Sequence, residues 1–159
     1  MYQHIERKLA AGDTIILDGG TGTEIERRGV PMSGEVWCAD ANLSHPDAVQ
    51  SVHADYIRAG AEAIIANTFA TSPLLFDHHG RVDEIAKIDG IAVELARAAA
   101  AQSETPIAVA ASFSIMRPAI KGTDDTQLHL QWPEKRAREL MRIKAEGIAA
   151  ARPDFIVME

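Results

Sequence analysis

Residues 14–29 read TIILDGGTGTEIERRG, and the fold follows from how this stretch is built. Ile15, Ile16 and Leu17 form a short unbroken apolar run, the pattern of a buried strand covered on both faces. The run stops at Asp18, after which Gly19, Gly20 and Gly22 free the backbone to form a loop. Asp18 is thereby expected at the carboxyl end of a strand, the rim on which α/β sheets, open or closed, bind their ligands. The following TEIERRG reads as a brief helical turn closed by Gly29.

The same unit recurs downstream. In LSHPDAVQSVHADYIRAGAE, Ser44 is a good N-cap, Pro46 and Asp47 suit a first turn, and Val49, Val52, Tyr56 and Ile57 share one helical face that ends at Gly60. Residues 61–66 (AEAIIA) then read as a second buried strand, with Asn67, Thr68 and Phe69 at its carboxyl end. A helix over 81–102, with Ile85, Ile88, Ala92 and Leu95 aligned, leads to a strand over 106–114 (PIAVAASFS). A further helix over 133–151, with Leu140, Ile143 and Ile148 among its apolar positions, leads to DFIVME at 154–159. Residues 2–11 read as a short amphipathic helix, and residues 31–42 as an irregular loop carrying Trp37 and Cys38. Short apolar strands alternating with long helices predict an α/β fold with a parallel sheet and right-handed crossovers. Two architectures fit: a doubly wound open sheet, or a (β/α)₈ barrel of which this is only the first half, since a barrel needs about 250 residues. Ending on an apolar strand leaves an unpaired edge, so an incomplete chain or a half that pairs with something is expected.

With 159 residues, 47% hydrophobic and 25% charged, the composition is that of a globular domain with a core. The formal charge of −7, with no Lys/Arg run along one face, argues against a nucleic-acid or anionic-membrane partner. The one cysteine, Cys38, excludes an intramolecular disulfide. No apolar stretch approaches the roughly 18 residues of a spanning helix, and MYQHIERKLAAGD builds no signal h-region, so a cytoplasmic location is expected.

Asp18, Asn67 with Thr68, and Glu159 would share one rim if the strands lie side by side, a polar edge above an apolar wall that suits a small polar ligand. The plainer reading of the first motif is that Asp18 caps the turn while Gly19 and Gly20 supply positive φ. GGTGT matches neither a P-loop nor a dinucleotide fingerprint, and an acid before the glycines would repel phosphate. Asp77, His78 and His79 read as a solvated loop, His53 as structural, and Cys38 as a partly buried inert thiol with nothing nearby in sequence to lower its pKa.

These residues resemble the homocysteine S-methyltransferases, the family that includes the homocysteine-binding domain of cobalamin-dependent methionine synthase and betaine-homocysteine methyltransferase. The resemblance rests on LDGGTGTEIERRG, on Trp37, on HPDAVQSVHADYIRAGAEAIIANTFATS and on the terminal DFIVME, and it covers essentially the whole chain. It implies that residues 1–159 are the N-terminal half, about four βα units, of a single homocysteine-binding TIM (β/α)₈ barrel domain. It implies methyl transfer to the thiol of homocysteine to give methionine, with zinc binding the thiol and lowering its pKa. Carried over by position, Asp18, Gly19 and Gly20 match the first-strand motif near substrate or donor. Trp37 matches an aromatic that packs on the quaternary ammonium of betaine. Asn67 and Thr68 match the strand-two motif lining the pocket, and Glu159 matches the acid that would hold the amino group of homocysteine. The family's three zinc cysteines match nothing here, Cys38 included, so this chain alone is expected to bind no catalytic zinc and to transfer no methyl group. The alternative is a non-catalytic half-barrel that binds a small amino acid or assembles with a partner chain. The methyl donor, whether betaine, S-methylmethionine, S-adenosylmethionine or methylcobalamin, stays open, and the unpaired edge favours self-association.

Overall fold

A computed structural model of the chain describes residues 2–119, 126–127 and 129–159. Helix α1 (Gln3–Ala10) is followed by α2 (Thr21–Arg27), α3 (Ala41–Ser44) and α4 (Pro46–Arg58). Then come β1 (Ala63–Ala66), α5 (Pro73–His78), a 3₁₀ turn (Val82–Glu84), α6 (Ile85–Ala100), β2 (Ala108–Phe113), α7 (Glu134–Ala151) and β3 (Phe155–Met158). The strands lie in the order β1-β2-β3, all parallel, with Ala63 beside Ala108 and Ala110 beside Phe155. The alternating pattern of the sequence is thus met as a parallel α/β sheet.

Side chains of successive strand residues point to opposite faces, and the two faces differ. Ile64, Ala66, Val109 and Ala111 turn toward the helices and form a core with Ala92, Val93 and Ala96 of α6 and Ile148 of α7. Ala63 and Ala108 turn the other way, where Ile5 of α1 covers them beside Tyr2 and Phe155, whose rings are 5.6 Å apart. Lys8 holds Glu62 at 2.6 Å, and the second oxygen of Glu62 accepts the Ile16 N–H, so α1 and the first apolar run are tied to the foot of β1. Among the described residues no helix is long and apolar enough to cross a membrane.

Several expectations are corrected. The Ile15–Leu17 run lies parallel to β1 but forms only a single bridge, Leu17 to Ala63, backed by Asp18 N–H to Ala63 O at 3.1 Å. Ile16 and Leu17 are 56% and 50% exposed rather than buried, because only β1 flanks the run among the described residues. Ser44 caps nothing: it ends α3 with its hydroxyl donating to Asp40 O, and His45 occupies the cap position of α4. Asp77 and His78 belong to α5 rather than to a loop, and Asp77 accepts from Trp132 Nε1 at 2.7 Å and from Arg136. The glycines at 29 and 60 do end their helices, at φ of +82° and +109°. His53 is wholly buried on α4, and burial pushes it down to about 4, so it is a neutral core side chain.

Candidate functional site

At the carboxyl rim of the sheet a cleft of about 240 Å³ opens between the glycine loop, the residues after β1 and the end of β3. Gly19, Gly20, Gly22, Trp37, Asn67 and Glu159 all line it, with Cys38, Ile65 and Phe69. Five of the seven residues singled out from the sequence therefore share one wall, although they come from four separate stretches of chain.

The glycine loop is shaped by what it must let through. A Cβ on Gly22 would lie 2.7 Å from the Trp37 indole and 2.8 Å from Cys38 Sγ, and one on Gly19 would lie 2.9 Å from the Tyr56 hydroxyl. Only the absence of side chains allows Trp37 and Tyr56 to close on the loop. Trp37 itself has φ of 46°, an uncommon conformation for a residue with a Cβ, and it is fixed by a two-way backbone pairing with Ser33. Arg81 braces this loop from outside, with its guanidinium on Asp40 at 2.7 Å and on Glu84, over the ring of Phe76.

Asn67 is the inner brace. Its amide donates to Cys38 O at 3.0 Å and to Asn42 Oδ1 at 3.2 Å, its Oδ1 accepts from Cys38 Sγ at 3.2 Å, and its carbonyl accepts from Asn42 at 2.9 Å. Both amide protons are engaged by the Trp37 loop and the helix that follows it, so Asn67 lines the cleft while holding its opposite wall. Thr68 does not line the cleft. It is wholly buried behind the wall, its hydroxyl 2.8 Å from the Ser112 N–H it accepts. The alternation of side chains past β1 turns Asn67 toward the cleft loop and Thr68 into the interior.

Asp18 and Glu159 provide the charge. One Asp18 oxygen accepts the Ile65 N–H at 2.9 Å, and the other is buried with no hydrogen-bond partner among the described residues. Burial is the main cause that pushes Asp18 up to about 7, with the charge of Glu159 adding to it. Glu159 continues the ladder beyond β3, its N–H on Phe113 O at 3.1 Å, and its carboxylate accepts from Ser112 Oγ at 3.1 Å. Ser112 was not singled out from the sequence; its place at the carboxyl end of a strand, as with Asn67, was the available signal. A carboxylate on a cleft wall whose lining holds no Lys or Arg suits an ammonium group.

Cys38 is wholly buried rather than partly, and burial pushes its thiol up to about 12, so it is neutral at physiological pH. Among the described residues no three His, Cys, Asp or Glu side chains are grouped to hold a metal ion. The described residues therefore do not make up a zinc site, since Cys38 has no set of further ligand-type side chains grouped with it.

A parallel α/β sheet with a polar, acid-bearing cleft at its carboxyl rim is the geometry that suits a small polar ligand. The homocysteine S-methyltransferase family model matches residues 15–159, and the chain belongs to that family. It is 36% identical over 88 residues to a homocysteine S-methyltransferase of Escherichia coli, covering 55% of this chain and 28% of that protein. It is 26% identical over 160 residues to betaine-homocysteine S-methyltransferase 1 of Mus musculus, covering 98% of this chain and 36% of that protein. The crystal structure of the homocysteine methyltransferase MmuM from Escherichia coli, in its metallated form, matches with a TM-score of 0.73 at 26% identity, over 96% of this chain and 56% of that one. The chain thus spans little more than half of that structure and about a third of each of those curated relatives.

Proposed function

We propose that residues 1–159 form the amino-acid-binding half of a homocysteine S-methyltransferase, a half-barrel of about four βα units within a single (β/α)₈ domain. The observation that carries this reading is the gathering of Asp18, Gly19, Gly20, Trp37, Asn67 and Glu159 around one cleft or its edge, in a chain that belongs to the family. Homocysteine enters with its ammonium toward Glu159, on the side of the cleft next to Asp18, and its thiol toward the open side. Trp37 offers its ring face to the methyl donor, which makes a cationic donor the better fit.

The metal lies outside this set of residues. Cys38 is engaged by Asn67 and is grouped with no set of ligand-type side chains among the described residues, so the residues that would bind zinc belong to the other half of the site. The barrel reading is supported by the overlap with MmuM and by apolar side chains left open at both edges of the sheet: Ile16 and Leu17 on one, Ile156 at 45% and Met158 at 72% exposed on the other. The same edges favour a second reading, a binding half that assembles with a partner chain or with its own copy.

Glu159→Gln tests the site. In the protein at its full natural length, homocysteine affinity by calorimetry falls about tenfold or more, as expected for losing a charged acceptor, while metal content stays unchanged. Equal loss of both, or of neither, overturns the assignment.

A further inference from the structure

Behind the sheet lies a polar cluster that the cleft chemistry does not use. Lys144 of α7 and Asp89 of α6 are both wholly buried, with the ammonium 2.8 Å from each carboxylate oxygen. Lys144 also donates to Thr71 Oγ1 at 2.6 Å and to the Thr68 carbonyl at 3.2 Å, and Thr71 donates to that carbonyl at 2.7 Å. Every proton of the ammonium therefore has an acceptor. A buried ion pair of this kind adds little net stability over a well-packed apolar pair, so stability alone does not explain it.

What the cluster grips is the chain just beyond β1. Thr68 is its hub: the carbonyl faces Lys144, and the hydroxyl accepts the Ser112 N–H at 2.8 Å and lies 3.2 Å from the Ser112 carbonyl. Ser112 then donates its own hydroxyl to Glu159 at 3.1 Å. A continuous series of polar contacts thus runs from the α6 and α7 interface, through the sheet, to the carboxylate at the cleft. Fully connected buried networks of this kind fix one arrangement, because any displaced member leaves a buried group unpaired.

We infer that the Lys144 and Asp89 pair is a positioning device for Glu159: it fixes Thr68 from behind the sheet, Thr68 fixes Ser112, and the Ser112 hydroxyl aims the carboxylate at the ligand's ammonium. The inference rests on reading Glu159 as the ammonium acceptor. It reassigns Thr68 from a ligand contact to a residue that acts through Ser112. Preorganising one oxygen of Glu159 leaves the other free to receive the ligand without reorganisation at binding.

The test compares two ligands in the protein at its full natural length: L-homocysteine, and 4-mercaptobutanoate, which keeps the thiol and carboxylate and lacks the amino group. Their affinity ratio isolates recognition of the ammonium and cancels whatever the thiol meets. In Ser112→Ala, and in the double variant Lys144→Met with Asp89→Val, the preference for homocysteine falls about tenfold, while the urea midpoint of the double variant stays near wild type. A merely structural pair would leave the ratio unmoved, and a folded double variant with the wild-type ratio overturns the inference. Should the double variant fail to fold, Thr68→Val decides the matter, because it spares the ion pair and removes only the hydroxyl that links it to Ser112; an unchanged ratio there overturns it equally. A wild type that binds both ligands alike sinks the reading of Glu159, and the inference with it. A wild-type preference that all variants retain sinks the inference alone.

Discussion

Two aspartates, one wholly buried and one half-buried, divide the molecule. Asp89, behind the sheet, has both oxygens on Lys144 and one also on Thr71, with no solvent in reach. Asp18, at the cleft, has one oxygen on the Ile65 N–H and the other on nothing among the described residues. Burial pushes both carboxyls up, and in Asp89 the lysine opposes that push where Asp18 meets only another acid, Glu159. The contrast fits the proposed function: the satisfied acid is part of the frame, and the half-bonded acid lies beside the cleft.

The frame side suffers most from Lys144→Met, which strips its acid of a partner and leaves an uncompensated carboxylate in the core. A loss of about 3–5 kcal/mol in urea unfolding is expected. A loss under about 1 kcal/mol would mean that the buried acid simply takes up a proton without consequence, and the contrast between the two acids would go.

A smaller effect, confined to the open side, comes from Gly22→Ala. The new methyl would fall within 3 Å of both Trp37 and Cys38, so the loop must shift by overpacking, at a cost of about 1–3 kcal/mol, and the cleft narrows. Ligand affinity is expected to fall further than stability does. Unchanged affinity at unchanged stability would show that Trp37 is free to move aside.

A pH-dependent effect separates the two acids. Asp18 titrates near 7 when folded and near 3.8 when unfolded, so between these values the folded state keeps a proton that the unfolded chain has released. Stability from this group therefore declines as pH rises from about 4 to about 7. Asp18→Asn removes that slope, and the variant equals or exceeds wild type at about pH 8. Urea midpoints across the range decide it, and parallel profiles for the two proteins would assign the slope elsewhere.

Much of the frame was legible in residue order. The apolar runs at Ile64 and Ile65, at 107–111 and at Phe155–Met158 became the three paired strands, and Gly29 and Gly60 ended their helices, because periodicity and glycine conformation act locally. The first run misled for a nonlocal reason. Ile15–Leu17 is as apolar as β1, yet burial of a strand is conferred by the neighbours on its two sides, which its own residues do not encode. Ser44 misled because the short α3 abuts α4 there, and a hydroxyl that could cap one instead closes the other.

The site divided in the same way. Asp18, Trp37, Asn67 and Glu159 were recognisable as rim residues from their positions after apolar runs and from their family pattern; Trp37, Asn67 and Glu159 line one cleft, and Asp18 sits beside it on the Ile65 N–H. Roles were not recognisable. Asn67 and Thr68 are adjacent and alike in chemistry, but one braces the Trp37 loop and the other faces Lys144 and Ser112, because strand pleat sends neighbours to opposite sides. Residue order was enough for the alternating α/β arrangement, the residues of the carboxyl rim and the family. It took the folded chain to settle which polar groups are satisfied by one another and which are not, since hydrogen-bond partners 40 to 80 residues apart in the chain are chosen by packing and not by spacing.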